Sequence, residues 1–325
     1  MFTDLPLHEL RSYRPSLPEP PGFDAFWQRT LAEAGNHPLD AEFTAYDAGL
    51  SLLHTYDVAF SGFGGHRIRG WLLAPRAAAT DGGGPLPCVV QYIGYGGGRT
   101  LPHDWLLWPA AGHATLVMDT RGQSGPGRPG DTADPVGAEG PAVPGMVTKG
   151  ILSPDDYYYR RLYTDAVRAV DAARSHPLVD PDRIVVGGRS QGGVLALAAA
   201  ALAPGVAGAL IDVPFLTDIR RAIEITDAEP YAEIARYCAG QRDRVDQVLH
   251  TLDHFDGLNF ASRSTVPALF STALRDAITP PSTGFAAHHH YAGAKELLVW
   301  QFNGHEGGGL HQQTEQVRFL QKLWA

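Results

Sequence analysis

The sequence has few cysteines, no excess of positive charge and no long apolar run. Its 325 residues include only Cys88 and Cys238, and 26 Lys and Arg stand against 35 Asp and Glu, a formal net charge of -9. Two cysteines cannot build a disulfide framework or a cysteine metal site. The net charge disfavours nucleic acid and anionic lipid as partners, and the longest apolar run, 194–203, is too short to cross a bilayer. We therefore expect a neutral small-molecule partner.

The composition is typical of a soluble globular protein with many loops, because 44% of the residues are apolar and 19% are charged, beside 37 Gly and 25 Pro. The length fits a single α/β domain, 1–325, with an N-terminal extension over about 1–50 and an insertion over about 218–261. The first 21 residues lack the basic start and apolar stretch of a secretory signal. We expect a cytoplasmic protein.

Eight runs of residues have strand character, and the later ones are apolar almost throughout and separated by helical patterns. Such runs are typical of a parallel sheet covered by helices on both faces. A glycine-rich turn, 61–65, joins the first two runs, which we expect to pair antiparallel. The predicted strands are 53–60, 66–74, 88–93, 114–119, 183–188, 207–213, 267–274 and 296–302.

Helical patterns and loops divide the rest of the chain. Ser153 is a capping residue followed by Pro154 and two acids, which predicts a helix from there to His176. A final helix is predicted over 311–324. The Gly- and Pro-rich segment 121–150 is either functional or disordered, with function slightly favoured. The helical insertion 218–261 fits a cap over a pocket and an extra packing layer about equally well.

Ser190 is the candidate nucleophile. It lies in Gly188-Arg189-Ser190-Gln191-Gly192, between a predicted strand and a predicted helix. A G-x-S-x-G sequence in that context forms a sharp turn that exposes the serine at the helix N-terminus. The glycines are needed because side chains at their positions would collide with the strand and the helix.

Asp276 and His305 are the candidate partners of Ser190, since a serine hydroxyl needs a base and the base needs an orienting acid. Asp276 follows the seventh predicted strand and His305 follows the eighth, in the chain order Ser, Asp, His of an α/β-hydrolase. The sequence therefore predicts an α/β-hydrolase with an eight-stranded, mostly parallel sheet and a helical insertion after the sixth strand. Asp212, Asp253 and Asp256 are the alternative acids.

Two backbone N–H groups are candidates for stabilising the oxyanion. One belongs to Gln191, the residue after the nucleophile, and the other comes from the loop after the third predicted strand. That loop contains Gly94 to Arg99, and Tyr95 is its candidate donor. His288, His289 and His290 could suggest a metal site, but adjacent residues on a helix point in different directions and cannot converge on one ion. The serine mechanism implies no metal or organic cofactor.

Four stretches, 89–95, 119–125, 187–193 and 303–307, together resemble carbohydrate esterase family seven. Members of that family are acetyl xylan esterases that also deacetylate cephalosporin C. The resemblance matches Ser190, Asp276 and His305 to the family triad, and Tyr95 and Gln191 to its oxyanion donors. It also places three residues where family members line a small acyl pocket: Phe215, Pro230 and Ile278.

One motif departs from the family pattern. Ser124 follows Gln123 directly, whereas the family has two residues between its Arg-Gly-Gln and its serine. The resemblance further implies a cytoplasmic homo-oligomer, a hexamer whose active sites face an internal cavity, which would admit short acetylated sugars rather than polymeric xylan.

The sequence thus favours a serine esterase that removes acetyl groups from small acetylated carbohydrates such as xylo-oligosaccharides, and from cephalosporin C. A longer-chain carboxylesterase or an exopeptidase on the same scaffold is the alternative. A third hypothesis is a binding protein that kept the fold without activity.

Overall fold

The central feature of the fold is one sheet flanked by helices. The computed structural model describes residues 4–76, 84–136 and 145–325. Within these residues nine strands form a single sheet in the order β1-β2-β3-β5-β4-β6-β7-β8-β9. They are β1 Glu42–Ala45, β2 Leu53–Ser61, β3 Arg67–Pro75, β4 Leu86–Tyr92, β5 Ala114–Met118, β6 Val179–Arg189, β7 Gly208–Asp212, β8 Ala268–Ala273 and β9 Lys295–Trp300.

The sheet is antiparallel at one edge and parallel over the rest. The antiparallel pairs are β1–β2, β2–β3 and β3–β5, whereas β5, β4, β6, β7, β8 and β9 run parallel. The predicted α/β-hydrolase class and the antiparallel first hairpin are confirmed, but the sheet has nine strands rather than eight. The additional strand, β1, lies in the predicted N-terminal extension; it has four mostly exposed residues and no apolar run to indicate it.

Eleven α-helices occur in the described part of the chain. They are α1 Leu7–Leu10, α2 Phe23–Gly35, α3 Leu107–Ala110, α4 Tyr158–Ser175, α5 Gln191–Leu202, α6 Ile219–Ile225, α7 Tyr231–Gly240, α8 Val245–Asp253, α9 Gly257–Ala261, α10 Pro281–His290 and α11 Gly309–Leu323. Helices α6 to α9 occupy the predicted insertion.

Helices cover both faces of the sheet because alternate strand residues point to opposite sides. Val90 and Val186 belong to the large cluster that contains buried residues of α4 and α5. Their neighbours Val89 and Val185 belong to a second cluster, with Trp108 of α3 and residues of α11. The sheet is thus buried on both sides, as apolar parallel strands require.

The predicted start of α4 is wrong by four residues. The N-cap is Tyr157 rather than Ser153, because the carbonyl of Ser153 accepts the N–H groups of Asp156 and Tyr157 in a separate turn. Its end at Ser175, before His176, agrees with the prediction. Of the predicted loop 121–150, residues 137–144 lie outside the described residues.

Candidate active site

Ser190 lies at the tight turn between β6 and α5, with φ 60° and ψ -119°. Four backbone hydrogen bonds hold it there. Its N–H donates to the carbonyl of Asp212, and its own carbonyl accepts the N–H groups of Gly193, Val194 and Phe215. A positive φ is unfavourable for a residue with a side chain, so these bonds impose the conformation that the predicted elbow requires.

The glycines of the turn are required by space. A Cβ at Gly188 would lie 2.5 Å from the carbonyl carbon of Gly192, and a Cβ at Gly192 would lie 2.5 Å from the carbonyl oxygen of Tyr92. Both distances are below van der Waals contact, and both contacts are with backbone that cannot rotate away. The steric explanation given for the pentapeptide from the sequence therefore holds in the structure.

The structure brings Asp276 and His305 together at the carboxyl ends of β8 and β9. Asp276 Oδ2 lies 2.9 Å from His305 Nδ1, and the Asp276 side chain is fully buried. The N–H groups of Ile278 and Thr279, with the Thr279 hydroxyl, donate to the same carboxylate. These donors hold the carboxylate in place, and its contact with Nδ1 orients the imidazole so that Nε2 is the nitrogen left for a reacting group.

The loop that carries His305 approaches the residue that follows β7. A Cβ at Gly307 would lie 3.2 Å from Val213, which follows β7. Within residues 4–76, 84–136 and 145–325, however, the Ser190 hydroxyl makes no hydrogen bond to His305 or to any other group. Such bonds are often long without substrate, and the pairing of Ser190 with His305 stays a prediction.

The three alternative acids have other partners. Asp212 accepts hydrogen bonds from Ser271, Gln312 and Gln316, and burial raises the pKa of its carboxyl to about 6. Asp253 pairs with Arg220 at 2.7 Å. The Asp256 carboxylate accepts the N–H of Leu258 and so caps α9. Asp276 is the acid that the structure puts beside His305.

The side chain of Gln123 connects the two segments that carry the predicted oxyanion donors, Tyr95 and Gln191. In the described part of the chain, the N–H groups of Tyr95 and Gln191 have no hydrogen-bond acceptor. Gln123 Nε2 donates to Gln191 Oε1 at 2.9 Å, while Gln123 Oε1 accepts the N–H of Gly96 at 2.7 Å. One side chain thus connects the two segments. Sequence reasoning missed this role of Gln123, although the residue lies in one of the stretches that carried the resemblance.

The predicted pocket residues occupy three segments. Phe215 is buried, donates its N–H to the Ser190 carbonyl at 3.0 Å, and places its ring 6.1 Å from that of Tyr95. Pro230 immediately precedes α7. Ile278 is two residues beyond Asp276 and donates its N–H to that carboxylate. Phe215 is therefore adjacent to both the nucleophile and the Tyr95 turn, whereas the roles of Pro230 and Ile278 stay predictions.

The motif that departs from the family pattern keeps a buried anchor. The guanidinium of Arg121 is fully buried and binds Asp165, with Nη2 2.7 Å from Oδ1. The Tyr158 hydroxyl donates to the Arg121 carbonyl and accepts from Gln123. Ser124 is exposed, and its hydroxyl accepts the N–H of Gly130. Gln123 is therefore held in the buried part of this loop, and Ser124, where the spacing departs from the family pattern, lies at the surface.

The described residues contain neither a cluster of possible metal ligands nor a helix that could span a membrane. No group of three or more His, Cys, Asp or Glu side chains there could hold an ion. His289 and His290 contact the carbonyls of Tyr13 and Pro15 instead. Over the same residues, every helix is too short or too polar to cross a bilayer.

Two solved structures with more than 30% identity to this chain are named acetyl xylan esterases. The family model for acetyl xylan esterase (AXE1) matches residues 1–323. An acetyl xylan esterase from Paenibacillus sp. R4 is 39% identical with a TM-score of 0.90, over 98% of this chain and 99% of its own. Acetyl xylan esterase 1 from Thermoanaerobacterium sp. JW/SL YS485 is 31% identical with a TM-score of 0.89, over 99% and 100%.

A curated relative is more distant. Acetyl esterase Axe7A from Xylanibacter ruminicola is 27% identical over 314 residues, which cover 96% of this chain and 68% of the relative.

Proposed function

This chain belongs to the acetyl xylan esterase family and is a carboxylic ester hydrolase, and we propose that it removes acetyl groups through an acyl-enzyme on Ser190. The observation that carries the proposal is the 2.9 Å contact of Asp276 with His305, at the same edge of the sheet as the strained serine.

The reaction proceeds in two steps. Ser190 Oγ attacks the acetyl carbonyl carbon while His305 Nε2 takes the hydroxyl proton, and the Asp276 carboxylate stabilises the imidazolium that forms. His305 then gives this proton to the leaving alkoxide, which departs as the free sugar hydroxyl. A water molecule, deprotonated by His305, attacks the acyl carbon; as the bond to Ser190 Oγ breaks, His305 returns this proton to Oγ, and acetate and the free serine hydroxyl are released. In both steps the N–H groups of Tyr95 and Gln191 stabilise the oxyanion, by about 3 kcal/mol per donor.

The substrates we propose are short acetylated xylo-oligosaccharides, with cephalosporin C as a further acetyl ester. The similarity to acetyl xylan esterases supports the carbohydrate class. Phe215, which is buried and bonds the Ser190 carbonyl through its backbone N–H, supports a small acyl group if its ring lines the acyl pocket as the family resemblance implies.

Replacing the nucleophile tests the mechanism. Ser190→Ala should lower kcat on a nitrophenyl acetate by about a million-fold, as in other serine hydrolases, and should abolish labelling by a fluorophosphonate probe. The exposed Ser124 provides a matched control, since Ser124→Ala should leave both readouts unchanged. Near-native activity of Ser190→Ala would end the proposal.

A substrate panel tests the specificity. Acetate release from acetylated xylo-oligosaccharides, acetylated monosaccharides and cephalosporin C identifies the substrate class. Nitrophenyl esters of increasing chain length, together with an amide substrate, separate this function from the longer-chain esterase and the exopeptidase. Faster turnover of octanoate than of acetate would refute the acetyl specificity.

We also propose a cytoplasmic homo-oligomer, a hexamer, on the strength of the family resemblance. Light scattering of the purified protein should give about six times the 35.0 kDa chain mass. A monomeric mass, or recovery of the native protein outside the cytoplasm, would contradict these two proposals.

A further inference from the structure

The segment that carries the Tyr95 N–H is a glycine-rich turn. The N–H of Gly97 donates to the carbonyl of Gly94 at 3.2 Å, and Gly96, the third residue of the turn, has φ 75°. That conformation is typical of a type II turn, which requires glycine at this position. The Gly94 carbonyl and the Tyr95 N–H belong to one planar peptide, so the direction of this N–H depends on the turn keeping its conformation, although glycine permits several others.

The Tyr95 side chain is held at its far end. Its hydroxyl lies 2.9 Å and 3.1 Å from the two carboxylate oxygens of Glu233 and donates to that group. It also accepts the N–H groups of Met146 and Val147. One hydroxyl thus joins three parts of the chain that are distant in sequence.

Glu233 belongs to α7, within the insertion, and is only 6% exposed. The same helix contributes Tyr231, whose ring packs edge-on against Phe215 at 4.6 Å. Phe215 in turn donates its N–H to the Ser190 carbonyl. Helix α7 therefore contacts the surroundings of the nucleophile through Tyr231 and the oxyanion turn through Glu233.

We propose that Glu233 is a positioning residue for ester hydrolysis, whose carboxylate holds the Tyr95 hydroxyl and thereby fixes the turn 94–97 with the Tyr95 N–H aimed at the oxyanion. The inference rests on the proposed function, because it concerns the donor that this function assigns to Tyr95. The Gly96 N–H bond to Gln123 fixes the next peptide of the turn, so both the side chain of Tyr95 and the peptide that follows it are held.

The effect should appear in kcat rather than in KM. An oxyanion donor acts on charge that develops in the transition state, and its value depends on alignment. Substrate binding, in contrast, depends mainly on the pocket walls. Glu233→Leu should therefore lower kcat on nitrophenyl acetate by about 10- to 100-fold, a part of what a lost donor costs, with KM changed by less than about threefold.

Two further variants separate positioning from a general structural defect. Glu233→Gln keeps an amide oxygen that accepts the phenol hydrogen bond, and it should recover most of the lost kcat. Tyr95→Phe removes the hydroxyl but keeps the backbone N–H, and it should lose kcat at least to the same extent as Glu233→Leu, because it also loses the bonds from Met146 and Val147. The double variant should be no worse than the poorer single variant, because both changes break the same Tyr95–Glu233 hydrogen bond.

The control is Glu224→Leu, which changes an exposed glutamate on the neighbouring helix α6 and should leave kcat unchanged. All variants are compared for native circular dichroism and for urea midpoints. The proposal is overturned if folded Glu233→Leu keeps kcat within about twofold, if Glu233→Gln is as impaired as Glu233→Leu, or if the losses in the double variant multiply. Retained activity in Ser190→Ala would overturn the proposed function, whereas an inactive Ser190→Ala beside a fully active Glu233→Leu would overturn this inference alone.

Discussion

Replacing Ser190 by glycine should stabilise the folded chain, although it removes the proposed nucleophile. Ser190 has φ 60° and ψ -119°, a conformation that costs a residue with a side chain about 1–3 kcal/mol. Glycine adopts it without that cost, but loses about 0.5–1 kcal/mol of additional backbone freedom on folding. The free energy of unfolding should therefore rise by about 1 kcal/mol.

The serine hydroxyl contributes little that could mask this gain. It makes no hydrogen bond within the described parts of the chain, and in particular it does not cap α5. The four backbone hydrogen bonds at Ser190 need no side chain and persist in the variant. The backbone strain at Ser190 is thus the main contribution to the free energy of unfolding that the substitution changes.

Ser190→Ala is the matched control, since alanine keeps the Cβ and hence the strain while it removes the hydroxyl. Both variants lack the nucleophile, so activity cannot be used to compare them. Urea unfolding followed by circular dichroism gives the two free energies of unfolding. Ser190→Gly should exceed Ser190→Ala by about 1 kcal/mol. If it is instead less stable than Ser190→Ala, the elbow does not store strain.

Three further substitutions test the site and its support. Asp276→Asn should lower kcat by about 10⁴-fold, because an amide N–H facing His305 Nδ1 favours the wrong tautomer, as steady-state kinetics on a nitrophenyl acetate would show. Gly192→Ala should destabilise the fold by about 1–3 kcal/mol in urea unfolding, since its Cβ would lie 2.5 Å from the Tyr92 carbonyl oxygen. Burial lowers the pKa of His288 to about 4, whereas an unfolded histidine has a pKa of about 6.5. At pH values between these two, the unfolded chain binds more protons than the folded chain. Stability should fall as the pH drops through that window, and His288→Leu should reduce the fall.

Each of these predictions has a control in the chain. Glu306→Gln changes an exposed carboxylate directly after His305 and should keep most of the activity that Asp276→Asn loses. Gly35→Ala adds a Cβ with no atom within 4 Å and should not destabilise the fold. His8→Leu changes an exposed histidine and should leave the acid sensitivity as it is. An unstable Gly35→Ala, or equal pH curves for His288→Leu and the unmodified chain, would contradict the corresponding argument.

The sequence predicts the fold where a strand is apolar on both of its faces. Val89 and Val90, like Val185 and Val186, face opposite layers, and such runs identified the parallel strands. Strand β1 has no such run, because its pairing with β2 depends on backbone hydrogen bonds that most residues can make. The start of α4 was misplaced because Ser153 is equally suited to the separate turn that it forms.

Asp276 and His305 could be predicted because their positions follow from topology. Parallel strands end at the same edge, so residues that follow β8 and β9 must lie close together, and their 2.9 Å contact agrees with this. Gln123 could not be predicted in the same way. Its bonds to Gln191 and to Gly96 depend on side-chain orientation in a loop, for which the sequence has no periodic signal.

Glu233 shows most clearly what sequence patterns omit. A glutamate on a helix is expected to face solvent, and it is separated from Tyr95 by 138 residues. In the structure burial raises the pKa of its carboxyl, and a buried carboxylate is costly unless it is hydrogen-bonded. Removing Glu233 would take away the hydrogen-bond acceptor of the Tyr95 hydroxyl. Of the two interpretations that the sequence left open for the insertion, this contact therefore favours one that acts on the active site over one that only packs against it.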